Sequence, residues 1–290
     1  VDSQHRKQVE ENKKISRLMV RTSKGNNMLT VKGKSMGIYK NPPWHFGVSW
    51  ANKTLDFLPT DSEENFKKLC EVPEFLEYFR SHGWLEPGAI SYKMNNYGFR
   101  CAEFVPGEDC IVALGCSFTV GIGLPVESTW PELVGKALGL KVYNLAWGGN
   151  AADTCFRMAE YWIPQLKPKA VFMLTPPESR VELMLDSTDQ PAEVFFPSNE
   201  ISYNHLGFDN YIKHYYTNDE NSRLNHKKNK LAVKALCDEL TTPCQIYDAN
   251  NHMAWSREEV GYARDRMHAG PKGHKRLAGI ILHDWRKKHT

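Results

Sequence analysis

The sequence predicts an α/β fold, a parallel sheet covered by helices on both faces and preceded by an N-terminal extension. Two observations predict it. Short apolar runs recur at 110–115 (CIVALG), 141–147 (KVYNLAW) and 170–175 (AVFMLT), as strands buried on both faces require. Between them lie stretches with apolar residues at helical spacing. Strand, helix, strand, helix, strand is the rhythm of a parallel sheet, because each crossover needs a helix that buries its own apolar stripe.

The elements follow in order. Residues 1 to about 20 are dominated by charge and are expected to solvate as a helix or tail. From about 38 the chain turns aromatic and irregular, in YKNPPWHFGVSW and TLDFLP, before SEENFKKLCEVPEFLEYFRSHGW resumes helical spacing. ISYKMNNYGFR combines a strand-like run with a turn, so the boundary is expected near 95, with an extension over 1–95 and the main domain over 96–290. A helix is expected from Glu127 to Leu138. The next covers 151–166, carries Met158, Ala159, Trp162 and Ile163, and stops before Pro168. A helix over 220–240, a strand over 244–249 and a last helix from Pro271 to Lys287 complete the set. The aromatic stretch at 195–216 has no clean period. It suits a substrate lid or a sugar-stacking surface, but packing onto its own domain is the expected role.

Composition narrows the function classes. The 37 basic and 34 acidic residues leave a net charge of +3, so attraction to a phosphate backbone does not organise the surface and no nucleic-acid partner is expected. Seven cysteines form no CxxC pair, which argues against a disulfide framework or a zinc site and favours a reducing compartment. No run approaches the roughly 18 apolar residues of a membrane helix, and the start VDSQHRKQVEENKK lacks a signal's apolar stretch. A soluble protein is expected.

Chemistry concentrates at two places. Ser117 follows the first strand by two residues, at the carboxyl end where sites form in open parallel sheets. A serine hydroxyl needs a base, normally a histidine oriented by a carboxylate. DRMH supplies both, since Asp265 can reach Nδ1 of His268 within one turn and leave Nε2 for the serine. Cys116 is the competing nucleophile, because a thiolate needs less activation. His274 reads as a surface or capping residue of the last helix, and the glycines of VGIGLP as turn glycines, since no Gly-Lys-Ser/Thr follows.

These blocks resemble the GDSL/SGNH hydrolase family. Gly115-Cys116-Ser117 is similar to its first block with Cys for Asp, NLAWGGN to its second with the glycine at Gly149, and DRMHAGPKGH to its last. The resemblance covers about 96–290, and NNYGFR is similar to a stretch that precedes the first block in members with such an extension. It implies a three-layer flavodoxin-like fold and hydrolysis of an ester, often an acetyl or other acyl group on a carbohydrate or lipid, without metal or organic cofactor. Ser117, His268 and Asp265 would form the triad, and the N–H groups of Ser117 and Gly149 the oxyanion hole. The third block departs from the family pattern. Where Gly-x-Asn-Asp is usual, the chain reads LTPPESR, with Pro177 and Glu178 at the Asn-Asp positions. Asn150 is the expected substitute donor, and Arg180 a cation for negative charge on substrate or intermediate. The alternative is a weak or inactive binding or structural protein of the same fold, assembling as a homo-oligomer or in a virus particle through residues 1–95.

Overall fold

The structure is a computed structural model and describes residues 41–184, 191–195, 219–249 and 261–289. The charged tail and all but the first residue of the 195–216 aromatic stretch lie outside the described residues. Among the described residues four parallel strands form the sheet in the order β4-β3-β5-β8: β3 (Cys110–Leu114), β4 (Lys141–Asn144), β5 (Ala170–Thr175) and β8 (Cys244–Asp248). The crossovers are α4 (Trp130–Leu138), α5 (Ala152–Leu166) and α6 (Asp219–Glu239), and α7 (Pro271–His289) closes the chain. On one face Ile111, Ala113, Phe172 and Leu174 pack against Trp130 and Val134 of α4 and Leu277 and Ile281 of α7. Side chains alternate along a strand, so Val112 and Leu114 face the other side, where α5 crosses β3 and packs on α6. Helices on both faces of a parallel sheet are what the sequence predicts.

Two boundaries differ from expectation. β4 ends at Asn144 rather than running to 147, because the Asn144 side chain accepts the Ala146 N–H at 3.1 Å and turns the chain. The helix expected from Glu127 is a 3₁₀ turn, Val126–Ser128, followed by α4, whose Pro131 sits in the first turn where no N–H is needed.

Segment 41–94 contributes β1 (Thr54–Leu55), α1 (Glu63–Cys70), α2 (Pro73–Ser81) and β2 (Tyr92–Lys93), with β1 and β2 antiparallel. Ser62 caps α1 by accepting the Asn65 N–H. The described residues all belong to one compact unit. Leu58, Phe79, Trp84, Ile90, Tyr92 and Met94 share a core with Val120, Ile122, Leu124, Trp147 and Ala263, from loops that follow the strands. The extension is therefore built into the carboxyl end of the sheet. β6 (Val181–Met184) and β7 (Pro191–Phe195) pair as a separate antiparallel ribbon. Among the described residues no helix is long and apolar enough to cross a membrane.

The buried histidines His45 and His274 make stability pH-dependent. His45 donates Nε2–H to the Tyr97 carbonyl (2.9 Å) and accepts the Gly47 N–H at Nδ1 (3.1 Å), while His274 Nδ1 accepts the Trp130 N–H at 3.0 Å. An Nδ1 that accepts carries no proton, so both rings fold neutral. Burial lowers each pKa to about 3 from 6.5, aided at His274 by the charges of His268 and Arg100. His274 is fully buried, not the surface or capping residue expected from its position, because α4 needs an acceptor for its first N–H. Between pH 6.5 and 3 the unfolded chain binds the extra protons. Stability is therefore full above pH 6.5 and is lost as pH falls through that window. Urea titrations are expected to show a decline of about 1.4 kcal/mol per pH unit for each histidine, and a flat profile from pH 6.5 to 4 would contradict the buried neutral rings.

Candidate active site

Ser117 opens a single helical turn, α3 (Ser117–Val120), three residues after the end of β3. The turn starts this close to the sheet because residue 115 is glycine. A Cβ there would stand 2.1 Å from Thr119 Oγ1 and 2.8 Å from the Leu174 carbonyl oxygen. As the first residue of a helical turn, Ser117 has a backbone N–H with no intrahelical acceptor. Its side chain lines a cavity of about 600 Å³. Cys116 is fully buried and does not line that cavity, which removes the competing nucleophile.

Asp265 and His268 sit on a tight loop held by a bridge between Tyr262 and Ala269 and by Ala263 N–H donating to the His268 carbonyl at 3.0 Å. The His268 ring meets Asp265 Oδ2 through Nδ1 at 2.6 Å, while Asp265 Oδ1 accepts the N–H groups of Met267 (3.0 Å) and His268 (3.1 Å). Burial pushes the Asp265 pKa up. The hydrogen bond and charge of His268 and the donors Met267 N–H and Thr60 Oγ outweigh it, and the net shift is downward, so the group stays a carboxylate at neutral pH. His268 lines the same cavity as Ser117, with its ring edge-on to Phe118 at 5.0 Å. No hydrogen bond joins Ser117 to His268 among the described residues. Such bonds often close only around bound substrate.

Gly148 and Gly149 line the cavity, Gly149 at φ +82°. Asn144 shapes this loop, donating Nδ2–H to the Thr119 carbonyl at 2.8 Å and so tying the second block to the Ser117 turn. Asn150 does not take the expected place. Its Nδ2 donates to the Gly115 carbonyl at 3.1 Å, it is buried, and it is absent from the cavity wall. The physical reason is that β3 stops at Leu114, which leaves the Gly115 oxygen without a ladder partner. Arg180 does line the cavity, with Nη1 donating to the Asn150 carbonyl at 3.4 Å. Glu178, from the variant third block, lines a different groove along β8.

The extension supplies the rest of the site. Phe46, Trp50 and Leu58 wall the cavity, Trp50 stacking on Trp147 at 5.3 Å. Asp61 grips Arg264 with two bonds of 2.9 and 2.7 Å, and both residues are buried. Tyr92 donates to Asp61 and accepts the Gly123 N–H at 2.7 Å, and Arg264 N–H donates to the Gly123 carbonyl. Residue 123 must be glycine here, since φ is +75° and a Cβ would lie 2.9 Å from Arg264 N. Arg100, the last residue of NNYGFR, donates to the carbonyls of Val120, Gly121, Ser91 and Leu124 and so clamps the loop after Ser117. None of these partners shows in local sequence. Among the described residues no three His, Cys, Asp or Glu side chains cluster as metal ligands.

No protein-family model and no curated protein matches the chain. Among solved structures it is similar to a lipolytic protein of the G-D-S-L family from Desulfitobacterium hafniense, at 15% identity and TM-score 0.30, covering 59% of this chain and 96% of that one. It is also similar to the esterase EstA from Pseudoalteromonas sp., at 14% identity and TM-score 0.35, covering 62% and 98%. A third is an acetyl xylan esterase from Butyrivibrio proteoclasticus, at 12% identity and TM-score 0.37, covering 63% and 65%. At this level of overlap, it is the chemistry of the chain's own residues that bears on function.

Proposed function

We propose that this chain is a serine hydrolase of the SGNH type that cleaves a carboxylic ester. The observation that carries the proposal is the Asp265–His268 pair at 2.6 Å, opening on the same cavity as a serine at the start of a helical turn. Asp265 fixes the imidazole with its proton on Nδ1, which leaves Nε2 as a base. Ser117 Oγ attacks the ester carbonyl while His268 takes its proton. The tetrahedral intermediate then expels the alcohol, which His268 protonates, leaving an acyl group on Ser117. Water, deprotonated by His268, attacks that acyl-enzyme and releases the acid and the free serine. The N–H groups of Ser117 and Gly149 hold the oxyanion in both halves.

Asn150 donates to Gly115 and lies off the cavity wall, so the third donor of the family pattern has no side-chain substitute there. One missing donor costs on the order of 10²–10³ in rate. Arg180, on the cavity wall, holds negative charge on the substrate or the intermediate. The substrate is an O-acyl group, acetyl foremost, on a carbohydrate or lipid. Hydrolysis of p-nitrophenyl esters of graded chain length and of acetylated sugars, by the protein and not by Ser117→Ala, tests the proposal. Equal rates for the two proteins across the panel would refute it.

A further inference from the structure

We propose that Thr60 is a positioning residue for the triad carboxylate Asp265, so that the N-terminal extension completes the triad from outside the motif-bearing part of the chain. This rests on the triad reading of Ser117, His268 and Asp265. Thr60 Oγ donates to Asp265 Oδ2 at 2.8 Å, the same oxygen that meets His268 Nδ1 at 2.6 Å. Asp265 Oδ1 is already taken by two backbone N–H groups. Four donors thus fix both oxygens and the plane of the carboxylate. Without the hydroxyl, Oδ2 keeps only the histidine.

The backbone at this position points the same way. Thr60 stands at φ +75°, a region that strains a β-branched residue and that glycine enters freely. The side chain is exposed on the cavity wall, so packing does not account for a threonine there. Neighbouring contacts hold the strained turn in place. Asn65 Nδ2 donates to the Thr60 carbonyl at 3.0 Å and to the Asp265 carbonyl at 3.3 Å, and the next residue, Asp61, grips Arg264. What the strain retains is the hydroxyl on the carboxylate. A donor on the ionised form keeps Asp265 charged as pH falls.

The test compares wild type with Thr60→Gly, Thr60→Val and Thr60→Ser. Thr60→Gly relieves the strain and removes the hydroxyl, so its melting temperature is expected to hold or rise while kcat/KM falls about tenfold. Thr60→Val is expected to lose activity similarly, and Thr60→Ser to stay within about twofold of wild type. Losing the donor makes the carboxylate more basic and strengthens its hold on the protonated imidazole. The acid limb of kcat/KM is therefore expected to move up by about half a pH unit in the Gly and Val variants and to return in the Ser variant. The NMR titration of His268 reads the same shift without turnover. A His268 titration unchanged in all three variants would overturn the role of Thr60 whether or not the chain hydrolyses esters. A shifted titration in a protein with no Ser117-dependent turnover would support the contact and refute the hydrolase instead.

Discussion

Ser117→Ala is expected to lower kcat by roughly 10⁴- to 10⁶-fold while leaving the fold intact, because the hydroxyl is the only group of this residue that reacts. The side chain is small, lines the cavity and anchors no hydrogen bond on which the turn depends. The turn is held instead by the N–H groups of Thr119 and Val120 donating to the Cys116 carbonyl, and by Gly121 N–H donating to the Ser117 carbonyl. Alanine preserves all of these. The residual rate should come from the oxyanion donors, since the Ser117 N–H survives the substitution. A p-nitrophenyl ester assay alongside a urea titration separates loss of chemistry from loss of structure. Undiminished turnover at undiminished stability would remove Ser117 from the mechanism.

Asp265→Asn is expected to cost on the order of 10⁴ in kcat, through the histidine tautomer. Asparagine has one acceptor oxygen where aspartate has two. If that oxygen keeps the Met267 and His268 N–H groups, the amide NH₂ faces Nδ1 and the imidazole must carry its proton on Nε2. A protonated Nε2 cannot accept the serine proton. Circular dichroism should show native structure, because the loop donors still find an acceptor. A variant with near-normal kcat would mean that Asp265 orients the loop and nothing more.

Much of this site was legible because its signals are local. The apolar runs at 110–114 and 170–175 need only to be buried on both faces. The Asp265–His268 contact spans three residues, so spacing alone reports it. Asn144 and Asn150 were harder, since an asparagine at a strand end can cap, turn or bind. Which it does depends on the nearest unpaired backbone group. Asn144 took the Ala146 N–H and shortened β4, while Asn150 took the Gly115 carbonyl and was lost to the cavity. Thr60 and Asp61 were invisible for a different reason. Their partners lie 205 and 203 positions away, and no periodicity carries information across that distance. The same holds for Arg100, whose clamp on the Ser117 loop is built from carbonyls that every sequence has.

The most direct measurement of the central claim is covalent. A fluorophosphonate reacts with a serine only when a base takes its proton and donors hold the forming oxyanion, the two conditions attributed here to His268 and to the N–H groups of Ser117 and Gly149. Intact-mass and peptide mapping after labelling is expected to give one adduct, on Ser117, in wild type and almost none in His268→Gln. An unlabelled Ser117 in folded protein, or an adduct on another residue, would contradict the account.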